Sequence, residues 1–211
     1  MLMGITAASA QTTTDVTSLI FNPNITGQSA NTTIPNGWTA GLRAVGNENY
    51  TEGTGDTQLE AWNNKGMHFD YYQDITLENG VYTLSAKCHD TGSIGAYLYL
   101  LSSGEMVKTV MPADYAVITT PKILVTNGKL RIGIKADPSL WGSWCTGDNF
   151  VLTKYSDLSL SDYEEMYNNL FTYSSDYFYN ALSKTVRADL VTVLEATPDL
   201  STDANITAAI T

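Results

Sequence analysis

The chain is short of positive charge, of cysteine and of unbroken apolar sequence, and each shortage excludes something. Lysine and arginine number 11, against 22 aspartates and glutamates. A chain this acidic repels phosphate backbones and anionic membrane surfaces, so nucleic acid is not expected as a partner. No apolar run approaches the roughly 20 residues that a membrane-spanning helix requires, and no membrane span is expected. The two cysteines, Cys88 and Cys145, and the two histidines lack the tight spacing of a zinc site. A compartment outside the cytoplasm would let the two thiols pair; buried and free, they would act as small apolar fillers.

Motifs for catalysis are missing as well. There is no Gly-x-Ser-x-Gly elbow, no His-Glu-x-x-His, no phosphate loop and no dinucleotide fingerprint. Cleaving a glycosidic bond takes two carboxylates about 5 to 10 Å apart. Glu48, Glu52, Asp56, Glu60, Asp90 and Asp148 are present, but no pair of them stands in such a motif. The chain is therefore expected not to be an enzyme and to need no cofactor. Its Asp-bearing loops permit a structural calcium, although no EF-type spacing demands one.

Aromatic residues are plentiful: 13 tyrosines and 4 tryptophans in 211 residues, of which only 16% are charged. They are either core and strand residues, which aromatics favour, or flat stacking surface for sugars. The chain pivots at Leu140–Tyr155, a loop with two tryptophans and a cysteine that closes as a strand. Before this stretch the apolar residues alternate; after it they recur at helical spacing.

Met1–Gln11 reads as the end of a secretory signal, with Ala8-Ser9-Ala10 fitting the small-x-small cleavage rule, although a basic leading region is missing. Residues 1–14 are taken as a truncated signal remnant and linker, which places the protein outside the cytoplasm, whether secreted, periplasmic or on the cell surface. A first strand is expected at Ser18–Phe21, followed by polar loops through Gly37-Trp38 and Asn49-Tyr50. Leu59 and Ala61 alternate with Glu60 and Trp62. Tyr71, Gln73, Ile75 and Leu77 share one face of the next strand. Asn79-Gly80 reads as a type I′ hairpin, because Asn-Gly accepts positive φ angles. Tyr82, Leu84, Ala86 and Cys88 share a face of the strand that follows, and Ile94–Leu101 alternates again. Pro121 splits Val117–Thr119 from Ile123–Val125, which marks an edge or a bulge. Asn127-Gly128 reads as a second hairpin. The clearest alternation is Leu130, Ile132 and Ile134 inward against Lys129, Arg131 and Lys135 outward. About eight two-faced strands with no helical period indicate a mainly β domain, an antiparallel β-sandwich or jelly roll, over 15–155.

From Ser156 the period is helical. Ser161 and Glu164 form a capping box, and Tyr163, Met166, Tyr167, Leu170 and Phe171 line one face. A second helix is expected between Ser174 or Ser175 and Leu194, and Thr197-Pro198 stops it. A third runs from Asn205 to Ile210, capped by Thr202 or Asp203. Residues 156–211 are thus predicted to be a two-to-three-helix segment, part of a larger spacer.

Four pieces occur in order: Glu60-x-Trp62-Asn63; Tyr72-Gln73 through Gly80, Tyr82 and Leu84; Leu130 through Gly133 to Lys135; and Trp144 through Asp148-Asn149-Phe150 to Leu152. This pattern resembles the galactose-binding-like jelly-roll domains of bacterial secreted and cell-surface proteins, which are related to carbohydrate-binding modules. The resemblance implies a multidomain parent engaged with glycan. The tail, from Ala181-Leu182 and Arg187 to Ala208-Ala209-Ile210, resembles part of a FIVAR-like three-helix module.

Binding a sugar in water needs flat aromatic surface for its C–H face and polar groups for its hydroxyl rim. Trp141 and Trp144, in a loop of small polar residues, are the first candidates. Trp62, Tyr50 and Trp38 follow, with His89, Asp90 and Asn149 as polar rim. Two readings remain. In one the chain is a carbohydrate-binding module that binds glycan through these residues; in the other it is an interaction or spacer module packed against further domains. Exposed indole faces beside polar groups favour the first, and wholly buried tryptophans the second.

Overall fold

The computed structural model describes residues 12–26, 36–43, 48–50, 58–156, 162–164, 166–168, 188, 191–192 and 195–210, with the backbone alone at 41–43, 48–50 and 203. The chain divides into two compact units, one of Thr14–Lys154 and one of Met1–Thr13 with Tyr155–Thr211.

The larger unit is built from strands β1 (Thr13–Asp15), β2 (Thr39–Arg43), β3 (Glu48–Tyr50), β4 (Leu59–Asn63), β5 (Met67–Thr76), β6 (Gly80–Asp90), β7 (Tyr97–Ser102), β8 (Glu105–Val110), β9 (Ala116–Thr119), β10 (Ile123–Val125), β11 (Lys129–Ser139) and β12 (Ser143–Tyr155). They form two sheets. The seven-stranded sheet has the order β10-β6-β12-β4-β3, with β9 also on β6 and β1 also on β12. The five-stranded sheet has the order β2-β5-β11-β7-β8. The registered pairs are antiparallel throughout. Most connections after β4 pass from one sheet to the other, which makes the unit a jelly-roll sandwich.

The core follows from period-2 alternation. Phe69, Tyr71 and Ile75 of β5 and Leu130, Ile132 and Ile134 of β11 are buried on one side of the gap. Tyr82, Leu84, Ala86 and Cys88 of β6 and Cys145, Phe150 and Leu152 of β12 are buried in the same apolar cluster. Each buried large side chain stabilises by about 1.5–3 kcal/mol. Cys88 and Cys145 are free and buried. Burial, helped by the charge of Asp148, pushes the Cys88 thiol up to about 12. Burial raises the Cys145 thiol too.

Asn49-Tyr50, read as loop, lies in strand β3, and the structure departs from the sequence reading in three further places. Ser18–Phe21 is not a strand: Thr17–Leu19 forms a 3-10 turn. Asp15 Oδ1 accepts the Thr17 N–H at 2.8 Å, and Thr17 Oγ1 accepts the Leu152 N–H at 3.1 Å. These side-chain bonds compete with a ladder and win. Nor are the two Asn-Gly pairs hairpins. Each joins strands of different sheets, and only the glycine has positive φ, 153° at Gly80 and 68° at Gly128, whereas a type I′ turn needs both central residues there. The two arches brace each other: Gly128 N–H donates to Asn79 Oδ1 at 2.9 Å, and Leu77 N–H to the Gly128 carbonyl at 3.0 Å. The turn with both residues at positive φ is Ser103-Gly104, at 51° and 88°, between the paired Ser102 and Glu105. Trp38 is the third departure. It is a core residue, 4% exposed, packed on Phe150 at 4.6 Å, so no ligand reaches its ring.

Pro121 behaves as read. It separates β9 from β10 along one edge of β6, where a missing N–H costs no ladder bond. In the second unit, helix α1 (Asp203–Ile210) starts where Thr202 Oγ1 accepts the Asn205 N–H at 3.2 Å, and it buries Ile206 and Ile210. Residues 162–164 and 166–168 are helical. The Ser161 cap and most of the expected second helix lie outside the described residues.

Two measurements test this packing. A Cβ on Gly133 would stand 2.3 Å from the Tyr71 carbonyl oxygen and 2.9 Å from the Tyr99 ring. G133A is therefore expected to lower the urea unfolding free energy by about 2 kcal/mol or more. Neither thiol should react with a thiol reagent in the native protein, and both should react once it is denatured.

Candidate functional site

The site is assembled on the outward face of the seven-stranded sheet. On β4, Leu59 and Ala61 point into the core, which turns Glu60 and Trp62 outward. On β12, Cys145 points in and Trp144 and Thr146 point out. The β4–β12 register sets Trp144 opposite Trp62 and Thr146 opposite Glu60. Directly opposed residues have Cβ atoms about 4.5–5.5 Å apart, so each pair touches. The Trp144 indole N–H donates to Glu60 Oε1, a diagonal bond that joins the two rungs.

Strand β6 adds His89, which faces outward between the core residues Cys88 and Asp90. Its Nδ1 lies 3.3 Å from Thr146 Oγ1. Tyr115, just before β9, stacks on the imidazole at 4.2 Å with planes 5° apart. Trp144 meets both rings edge-on, at 4.7 Å from His89 and 6.4 Å from Tyr115. The Lys87 ammonium lies 5.2 Å from the Tyr115 ring centre. The result is a row of Tyr115, His89, Trp144 and Glu60 with Trp62 beside it. Glu60 and His89 are buried, whereas Trp62 is 43% and Tyr115 45% exposed. Water therefore reaches the Trp62 and Tyr115 rings and the Lys87 ammonium, while Glu60, Thr146 and His89 lie beneath them out of solvent. This combination suits a ligand with an apolar face and a polar rim.

Of the residues singled out in the sequence, Trp62, Trp144 and His89 come together here. Trp141 is 77% exposed on the turn that precedes β12. That turn lies against the end of β4, since a Cβ on Gly142 would be 2.2 Å from the Asn63 carbonyl oxygen. Tyr50 stands opposite Glu60 in the β3–β4 ladder, and its side chain is outside the described residues. Asp90 is not a rim residue. It has no exposed surface; Oδ2 accepts the Gly95 and Ala96 N–H groups, each at 3.1 Å, and Oδ1 accepts the Ser143 hydroxyl at 2.5 Å. Asn149 has φ 54°, the left-handed region that asparagine tolerates, and its amide donates to Asp148 Oδ2 at 3.1 Å. Its position is explained by the backbone it permits. Among the described residues, no group of three or more His, Cys, Asp or Glu side chains stands together as a metal site.

Tyr115, Lys87, Glu60 and Thr146 were not among the sequence candidates. Alternation carried a signal for three of them, because Lys87 and Thr146 flank inward cysteines and Glu60 shares a strand face with Trp62. Tyr115 gave none, since only the β6–β9 pairing brings it over His89. A separate open groove of about 470 Å³ runs past Leu19, Phe21, Gly37, Thr39 and Gln73. There the Gln73 amide clamps the Phe21 main chain, accepting its N–H at 3.1 Å and donating to its carbonyl at 2.6 Å.

Burial lowers the His89 pKa below its ordinary value, opposed by the charges of Asp90 and Asp114. The unfolded imidazole titrates near ~6.5, so on acidification the unfolded chain takes up the proton first. The stabilisation that comes from keeping this ring neutral is complete above that value and is lost as pH falls through the folded one. An NMR titration should place the His89 midpoint below ~6.5, and H89Q should lose less stability than the parent between about pH 7 and about pH 5.

No family model and no curated protein matches the sequence. Solved structures do match the fold. TmCBM61, determined in complex with beta-1,4-galactotriose, superposes with a TM-score of 0.50 at 17% identity, over 64% of this chain and 97% of that one. A stig cyclase from Fischerella sp. TAU gives 0.48 at 14% identity, over 68% and 98%. A family 16 carbohydrate-binding module gives 0.44 at 14% identity, over 64% and 98%. What this chain has in common with TmCBM61 is the antiparallel jelly-roll sandwich.

Proposed function

We propose that the chain is a non-catalytic carbohydrate-binding module of a secreted or surface-displayed glycan-processing protein, and that it binds glycan on the outward face of the seven-stranded sheet. The observation that carries this reading is Trp62: an indole 43% exposed on a rigid strand, opposite a second indole whose N–H is held by Glu60. A pyranose ring places its axial C–H groups on such a surface, and its hydroxyls exchange bonds with water for bonds with exposed polar groups beside it, such as the Lys87 ammonium. Sheet register already fixes the backbone that carries the ring, so binding orders the side chain alone. The jelly-roll fold supports the reading, since TmCBM61 carries its galactotriose on the same architecture. The helical segment is assigned as a FIVAR-like spacer toward further domains of an extracytoplasmic polypeptide. Exposure of Trp62 and Trp141 weighs against a purely packing role for the sandwich.

The test is affinity electrophoresis of the full chain through gels containing neutral plant and host polysaccharides. W62A should weaken retention by about tenfold or more, ~1.4 kcal/mol, while changing folding stability by no more than about 1 kcal/mol. Equal retardation of W62A and the parent would remove the reading.

A further inference from the structure

We infer that the ligand of this face is an uncharged glycan chain, long enough to lie across two indoles, Trp62 and Trp141, rather than a single sugar or an acidic polysaccharide. This rests on the sheet face being a glycan site, and it extends that site around one end of the sandwich.

The two indoles flank one rung of the β4–β12 ladder. Asn63 pairs with Ser143. Trp62 comes one residue before Asn63, and Trp141 two residues before Ser143. Peptide geometry then limits their Cα separation to about 17 Å at most. The turn that carries Trp141 is held down rather than free. A Cβ on Gly142 would stand 2.2 Å from the Asn63 carbonyl oxygen and 2.5 Å from Asn64 Cα, so only glycine lets the two segments meet. The same turn is braced from the other side, where a Cβ on Gly92 would lie 2.5 Å from the Gly142 carbonyl oxygen. The Trp141 N–H donates to Ser139 Oγ at 3.1 Å. With its backbone fixed in this way, Trp141 keeps 77% of its surface in water. A solvent-facing indole on a backbone held in this way, within one short oligosaccharide length of Trp62, provides a second stacking platform. A monosaccharide covers one such platform; a chain covers both.

The charge of the surroundings selects against acidic sugars. Asp114, exposed next to Tyr115, acts through its charge on His89. Lys87, beside Tyr115, is the cation of the described row. The whole chain carries a formal net charge of -11. A polyuronate approaching this face meets a single lysine of that row with an aspartate nearby and, at long range, the net negative charge of the whole chain.

The experiment is calorimetric titration of the full chain, as parent, W62A and W141A. The probes are disaccharides and hexasaccharides from neutral galactan, xylan, mannan and glucan, together with polygalacturonate. The parent should bind the hexasaccharide of at least one neutral series about tenfold more tightly than its disaccharide, as expected for a second aromatic contact. W141A should erase that chain-length advantage, W62A should lose both ligands, and polygalacturonate should give no binding. A hexasaccharide no tighter than its disaccharide, or an advantage that survives in W141A, would overturn the extension while W62A-dependent disaccharide binding still supported the sheet-face site. Polygalacturonate bound as tightly as the neutral chains would overturn the charge selection. No binding of any neutral glycan by the parent would take the proposed function and this extension down together.

Discussion

Asp90 has no contact with solvent, and an ionised carboxylate in that position would cost several kcal/mol if left without partners. It is accommodated because two backbone N–H groups of the β6–β7 crossing and the Ser143 hydroxyl all point at it. Hydrogen bonds to a charged group contribute about 1.5–3 kcal/mol each, so the arrangement is stable only when complete. Its geometric effect reaches further. Ser143 opens β12 and also accepts the Gly92 N–H at 2.9 Å, while Thr91 N–H reaches the Trp144 carbonyl at 3.2 Å. One buried charge thus ties the sheet crossing to the start of the strand that carries Trp144.

From there, order passes outward. Trp144 is fixed on its polar edge by Glu60 and meets His89 edge-on, and His89 in turn is covered by Tyr115. The half-exposed indole of Trp62 stands on the neighbouring strand, directly across from this braced ring. A surface that is already ordered has little side-chain entropy left to lose. The neighbours His89 and Asp90 show how little sequence distance matters here. Strand alternation sends one ring to the outer face and the next carboxylate into the core.

That alternation is the part of the fold that the sequence states openly. Leu130, Ile132 and Ile134 could face only a core, and Pro121 could lie only at an edge or a bulge. The Asn-Gly pairs misled because their chemistry is local. A glycine at positive φ turns the chain equally well within a sheet or between sheets, and the choice depends on which partner strand is available. Long-range pairing is equally hidden. Trp144 and Glu60 are 84 residues apart, and nothing in either neighbourhood announces the bond between them. Trp38, in a loop of Gly, Asn and Pro, reads as exposed, yet its ring fills the space above Phe150. Tyr115 shows the reverse case, since its role exists only once β9 has docked on β6.

The divided strand beside β6 has a consequence of a different kind. A sheet border presents unused donors and acceptors to any other polypeptide, and a long uninterrupted one invites intermolecular pairing. Here that border is cut into pieces of 4 and 3 residues. At the cut, Thr120 turns inward, its hydroxyl accepting the Leu84 N–H at 3.0 Å, and the following proline has no N–H to offer. A stray strand would find no continuous template along this margin. Copies crowded together can therefore sit side by side without knitting their sheets into one another.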